Sequence, residues 1–153
     1  MLLKELVYNK SIGVHTIGPS ASCADAVAEL VRHNIGSLLV RDGPGGRILG
    51  IITERDILRT LATHREPLGQ LPVAQVMTAK LITAGADDDI VLAMRLMTTY
   101  RIRHLPVIQD DELFGIISIG DIVKAHHDKL EMENRYMRSY IRGEGAEVTS
   151  SLA

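Results

Sequence analysis

Gly50-Ile-Ile-Thr-Glu-Arg-Asp56 and Gly115-Ile-Ile-Ser-Ile-Gly-Asp121 are one phrase written twice, and everything around them repeats as well. Upstream, VHTIGPSASCADAVAELVRHNIGSLLV from Val14 lies over LITAGADDDIVLAMRLMTTYRIRHLPV from Leu81, with Ile35 falling on Ile102, an offset of 67 positions. The same offset places Thr16 on Thr83, Ala26 on Ala93, Leu38 on Leu105 and Val40 on Val107. Downstream, Gly50 falls on Gly115 and Asp56 on Asp121, an offset of 65, so the first copy carries two extra residues. Gly43-Pro-Gly-Gly46 is the natural place for them. A repeat of this length is a duplicated small domain, not a solenoid of short units.

Each copy has the same grammar. A short β segment ends near Thr16 or Thr83. A helix follows with apolar residues at helical spacing: Cys23, Ala26, Val27, Leu30 and Val31 in one copy, Ile90, Ala93, Met94 and Met97 in the other. A β run comes next, Ser37–Val40 or His104–Ile108, then a turn (DGPGGR or QDDE). A second β run, Ile48–Thr53 or Leu113–Ser118, leads directly into another helix. The unit is β-α-β-β-α, an α/β (α+β) fold written twice. Near-continuous apolar strands predict sheets covered on both faces, and a copy of about 60 residues is marginal alone, so the two copies should pack together. The expected boundaries are 1–66 for the first repeat with its N-terminal segment, 67–130 for the second, and 131–153 for a helical extension and tail. Residues 70–78 (QLPVAQVMT) read as the connector, with one helical turn.

Composition removes several classes of function. Hydrophobic residues make up 46% and charged residues 24%, which argues against long disorder. A net charge of −2 supplies no field for nucleic acid or an acidic membrane, and one Phe, four Tyr and no Trp leave little surface for stacking bases. One cysteine excludes an internal disulfide and suits a reducing compartment. The start, MLLKELVYNK, is too short and too charged for a signal peptide, and no apolar run approaches the roughly 18 residues of a membrane span. A cytoplasmic protein is expected.

The repeated phrase has two physical readings. A strand running straight into a helix brings backbone N–H groups and the positive end of the helix dipole to one point, which suits a phosphate. Thr53 or Ser118 adds a hydroxyl, and the carboxylate three residues on can accept from both hydroxyls of a ribose. The same [ST]-x-x-[DE] pattern is also a helix capping box. Ser22-Cys-Ala-Asp25 fits it too and is read as a cap alone.

With Gly-Ile-Ile-[ST]-x-x-Asp in both copies, VMT before the second and RIRHLPVI inside it, the chain resembles the cystathionine-β-synthase (CBS) domain family over about residues 4–129. It also looks like small proteins that carry little beyond a CBS pair and a C-terminal helix. The resemblance implies tandem CBS domains packed with pseudo-two-fold symmetry, a Bateman module, with a homodimer as the usual assembly. It implies a regulatory sensor, not an enzyme, that binds an adenosine nucleotide (AMP, ADP, ATP or NAD(H)) or S-adenosylmethionine, with no metal. The alternative is an adaptor or oligomerisation protein with vestigial clefts. No catalytic, transporter or DNA-binding segment accompanies the pair, so an effector protein is expected to be met in trans.

Carried over residue by residue, the resemblance implies two composite clefts. One takes Thr53, Arg55 and Asp56 from the first copy, with Thr78, Ile82, Arg103, His104 and Pro106 from the connector and second copy. The other takes Ser118 and Asp121 with His15, Gly36 and Ser37. Arg103 and His104 would face phosphate. The clefts are unequal: Gly36-Ser37 stands where the second copy has Arg103-His104, and Ile119-Gly120 where the first has Glu54-Arg55. The more charged end of a ligand is therefore expected at Asp56.

Other signals are discounted. GPGG lacks a following Gly-Lys-Ser/Thr and is no phosphate loop. His126 and His127 are adjacent, whereas helical zinc pairs are spaced i,i+4. Cys23 lies on an apolar stripe and reads as core, and Asp87-Asp88-Asp89 suits a helix N-terminus. No nucleophile–base pair or metal-ligand set points to a nucleotide hydrolase. The last helix runs on to Gly143, with Val123, Leu130 and Met137 repeating every seven residues, as do His127, Asn134 and Ile141. Such a stripe suits a dimer partner or the protein's own N-terminal segment. Residues 144–153 (EGAEVTSSLA) read as a frayed tail.

Overall fold

The computed structural model describes residues 1–10 and 13–143; the EGAEVTSSLA tail lies outside the described residues. Helix α1 (Leu3–Tyr8) leads into β1 (Thr16–Ile17), α2 (Cys23–His33), β2 (Ser37–Arg41), β3 (Ile48–Thr53) and α3 (Glu54–Thr63). The connector holds a 3₁₀ turn at Leu68–Gln70 and one helical turn, α4 (Val73–Val76). Then come β4 (Ala84–Gly85), α5 (Ile90–Tyr100), β5 (His104–Gln109), β6 (Glu112–Ser118) and α6 (Ile119–Ile141). Two three-stranded sheets result, ordered β1-β2-β3 and β4-β5-β6. In each, the first pair is parallel and the second antiparallel.

The registers repeat as the sequence does. Ser37 pairs Thr53 and Val40 pairs Gly50; in the other sheet His104 pairs Ser118 and Val107 pairs Gly115. Both ladders slip at the same place, after Val40 and after Val107. The two extra residues sit in the hairpin turn, where GPGG replaces Asp110-Asp111. Both aspartates have positive φ, 50° and 62°. That is the two-residue turn whose twist matches a hairpin, and it extends the second hairpin by one pair, Gln109 with Glu112.

Each sheet covers its own core. Cys23, Ala26, Leu30, Leu38, Val40, Ile52 and Ile57 are buried together in the first copy. Ala93, Met97, Leu105, Val107, Ile117 and Ile122 occupy the matching places in the second. Strand alternation turns Leu39, Ile51 and Pro106 to the reverse faces, where they are also buried. Not every apolar stripe position is covered: Val31 and Met94 are exposed.

The leader of each copy crosses to the other. Leu3 and Leu6 of α1, which chain order groups with residues 1–66, are buried in the second core. Leu71 and Val73, just ahead of the second copy, are buried in the first. The backbone bonds match: Val73 N–H donates to Ala21 (2.8 Å) and Leu3 N–H to Asp88 (2.9 Å), while Cys23 N–H donates to Leu71 (2.8 Å) and Ile90 N–H to Met1 (3.0 Å). The signature glycines mark the crossings. A Cβ on Gly50 would lie 2.6 Å from the Thr78 carbonyl, and one on Gly115 would lie 2.5 Å from Val7. Only a residue without a Cβ lets the leader lie this close to the strand.

Helix α6 spans 23 residues and leaves the body of the fold. Its Val123, Leu130, Met137 and Ile141 are exposed, as is Leu58 on α3. Among the described residues no helix is long and apolar enough to cross a membrane.

Candidate functional site

All three capping boxes form. Thr53, Ser118 and Ser22 each accept from the backbone N–H three residues on, and the third-position carboxylate reaches back to the cap's own N–H. Capping is thus common to the three, and their surroundings distinguish them. Asp25 is exposed, whereas Asp56 retains 7% of its surface.

Asp56 sits at the base of a cavity of about 630 Å³ between the two copies. Its Oδ2 accepts from the Thr53 N–H (2.9 Å) and hydroxyl (3.1 Å), and its Oδ1 accepts from the Thr78 hydroxyl (3.2 Å). A carboxylate has about four acceptor directions. Three are in use, which leaves capacity on Oδ1 for a further donor such as a ribose hydroxyl.

Strand β3 and the start of α3 supply Thr53, Arg55 and Asp56; the connector supplies Thr78 and the stretch before β4 supplies Ile82; the link between α5 and β5 supplies Arg103, and β5 supplies His104 and Pro106. All eight residues grouped with this cleft in the sequence line the cavity. Ile51, Ile82 and Pro106 provide apolar wall, and Arg55, Arg59, Lys80, Arg101 and Arg103 provide five cations against the carboxylates of Glu54 and Asp56. Arg55 already spans the cleft, donating to the Arg101 carbonyl at 3.1 Å. Burial holds His104 below the ordinary histidine range, with Lys10 and Arg103 acting in the same direction and Glu54 and Asp121 opposing.

Sequence reading missed Arg59, Lys80, Tyr100 and Arg101. Arg59 was within reach, since it lies one turn after Arg55 on the same face of α3. Arg101 occupies the helix-ending position that Asn34 fills in the first copy. Both are left-handed, with φ of 53° and 51°. That conformation is easy for Asn and costs Arg roughly 1–2 kcal/mol.

The residues grouped around Asp121 are arranged differently. Gly36, grouped there in the sequence, lines the Asp56 cavity instead, because His104 packs onto it; a Cβ on Gly36 would lie 2.9 Å from the imidazole Nε2. Ser37 is buried opposite Thr53 in the β2–β3 ladder. His15 stacks on His33 with ring centroids 3.7 Å apart, and burial, followed by the charge of His33, lowers its pKa. Ser118 caps α6. Asp121 is paired with the Lys10 ammonium at 2.8 Å and faces a groove of about 620 Å³ between α1 and α6. Burial pushes its carboxyl up, but bonds from Lys10 and the Ser118 N–H outweigh this and hold it below the ordinary range.

Each of the three tandem aspartates has its own partner: Asp87 the Lys4 ammonium, Asp88 the Gly85 N–H, Asp89 the Val91 N–H as helix cap. On α6, ligand atoms of His127, Asp128 and Glu131 lie within 4.8 Å of one another, all three residues exposed.

Two β-α-β-β-α repeats with exchanged leaders and a cleft assembled from both copies define a duplicated, pseudo-symmetric domain pair. The CBS domain profile matches this chain twice, at residues 7–63 and 73–128, and the chain belongs to that family. It is 40% identical over 121 residues to the CBS domain-containing protein CBSX3, mitochondrial, of Arabidopsis thaliana, covering 74% of this chain and 59% of that protein. The CBS-domain containing protein ATU1752 from Agrobacterium tumefaciens superposes with a TM-score of 0.78 at 37% identity, covering 82% of this chain and 99% of that one. The CBS domain pair of protein MJ0100, solved in complex with 5′-methylthioadenosine and S-adenosyl-L-methionine, superposes with a TM-score of 0.73 at 29% identity, covering 84% and 98%.

Proposed function

We propose that this chain is a regulatory ligand-sensing module that binds an adenosine nucleotide in the Asp56 cleft and passes the signal to a partner protein in trans. The observation that carries this reading is the union, in one cavity, of five cations, an apolar wall and the buried Asp56. The cations suit phosphates, the wall of Ile51, Ile82 and Pro106 suits a flat base, and the carboxylate suits a ribose diol. The adenosine compounds in the MJ0100 pair support the same ligand class. S-adenosylmethionine carries a sulfonium cation, which this rim disfavours. AMP, ADP, ATP and NAD(H) each bring phosphate, and among the mononucleotides attraction should grow with phosphate number. A homodimer belongs to this reading, with the exposed apolar residues of α3 and α6 as its contact surface. A ligand then acts through its different affinities for two arrangements of the copies or subunits.

The test is thermal unfolding of the purified protein with AMP, ADP, ATP, NAD⁺, NADH and S-adenosylmethionine, with GTP as the control. Ligand at 100 times Kd should add about 2.7 kcal/mol, a rise of roughly 5–10 °C for a chain of this size. At one common concentration, adenosine phosphates should shift Tm in the order ATP, ADP, AMP, and GTP should not. No shift with any of them would replace the sensor with an adaptor whose cleft is vestigial.

A further inference from the structure

We propose that Lys10 is a built-in occupant of the second cleft, holding Asp121 so that each chain takes one adenosine nucleotide, at Asp56, and not two. The inference rests on the nucleotide reading of the Asp56 cleft and adds what sets the number of sites.

The observation is a difference at equivalent residues. In the first cleft two acceptors face the crossing leader, the Ile51 carbonyl and the Asp56 carboxylate. Thr78 meets both, its N–H donating to Ile51 at 2.8 Å and its hydroxyl to Asp56 Oδ1 at 3.2 Å. In the second cleft the matching acceptors are the Ile116 carbonyl and Asp121. There the single ammonium of Lys10 meets both, at 2.9 Å and 2.8 Å, and on Asp121 it shares Oδ2 with the Ser118 N–H, which donates at 2.7 Å. Lys10 and Asp121 side chains retain 21% and 23% of their exposure, so the pair lies largely out of water.

The two donors respond differently to a ribose. The Thr78 hydroxyl is neutral and can rotate to share Oδ1 with an incoming diol. Displacing Lys10 would leave an ammonium partly buried without its carboxylate, which is strongly unfavourable. The cationic side chains that share the Asp121 groove with Lys10 are Lys124 and Lys129 on α6, against five in the Asp56 cavity. Gly36-Ser37 and Ile119-Gly120 stand where the first cleft has Arg103-His104 and Glu54-Arg55.

Nucleotide stoichiometry decides the matter, measured by equilibrium dialysis of radiolabelled ATP, and separately NAD⁺, at saturating concentration. The wild-type chain should bind one per chain and Lys10→Met two. Lys10→Gln, a second variant that also removes the charge, should give two as well. At a ligand concentration that just saturates the wild type, Asp56→Asn should bind well under one per chain alone and about one more when combined with Lys10→Met. Two sites in the wild-type chain, or one site in both Lys10 variants, would overturn the role of Lys10 and leave the Asp56 site standing. No binding to any of these proteins would overturn the nucleotide reading, and this inference with it.

Discussion

The Asp56 and Asp121 clefts descend from one sequence phrase, share a strand register and share a capping box, yet five cations ring the first while Lys10 pairs directly with the carboxylate of the second. The backbone is the conserved part of the comparison: Ser37 faces Thr53 as His104 faces Ser118, and both ladders slip at the same step. The differences lie in the residues each copy sends to the other. The second copy gives Arg101, Arg103 and His104 to the Asp56 cavity. The first copy's leader gives Lys10 to Asp121. Duplication therefore copies the frame of a site, while the residues that each copy sends to the other, which differ in sequence, decide what each site can hold.

The largest expected effect separates the two aspartates. Asp56→Asn should weaken ATP binding by roughly 10- to 150-fold, since a hydrogen bond to a charged group contributes roughly 1.5–3 kcal/mol. Asp121→Asn should change it by less than about twofold. Isothermal titration of both variants would check this, and equal losses would end the distinction between the clefts.

A smaller effect should appear in the pH dependence. Burial holds His104 below the ordinary histidine range in the free protein, and a phosphate beside it would raise its pKa, so binding takes up a proton. ATP affinity should then rise a few-fold as pH falls from about 7.5 to about 6, and His104→Gln should flatten the profile. Without ligand the sign is opposite. A depressed histidine contributes stability that is present above its unfolded pKa and lost as pH falls through its folded value. An affinity that instead fell on acidification would place the phosphates away from His104.

The smallest effect concerns the paired helix ends. Arg101 and Asn34 share a left-handed conformation. Arg101→Asn should raise the stability of the ligand-free protein by up to about 1 kcal/mol, and Asn34→Arg should lower it by a similar amount. Denaturant midpoints would show whether the two changes mirror each other. Unequal magnitudes would mean that Arg101 makes compensating contacts in the cavity.

Much of this was legible before any coordinates. The offsets of 67 and 65 that align the copies in sequence are the offsets of the strand registers, with the extra residues at GPGG as read. Asp56 and the seven residues grouped with it share one cavity. What escaped sequence reading has a common cause. Periodicity shows that Val31 and Met94 lie on apolar stripes, but not that nothing among the described residues covers them. It cannot show that Gly36, matched to Arg103 by duplication, packs under His104 in the opposite cleft.

The sequence by itself determined the repeat unit, its strands and helices, the pairing register and the capping boxes. These depend on neighbours a few residues apart or on a hairpin turn, so local chemistry encodes them. Only the tertiary structure decided that each leader lies on the other copy's sheet, that Gly50 and Gly115 are the crossing points, and that Lys10 meets Asp121 while Thr78 meets Asp56. Those contacts join residues from about 20 to over 100 positions apart, set by how two marginal cores bury their open faces against each other. Spacing along the chain carries no record of that choice.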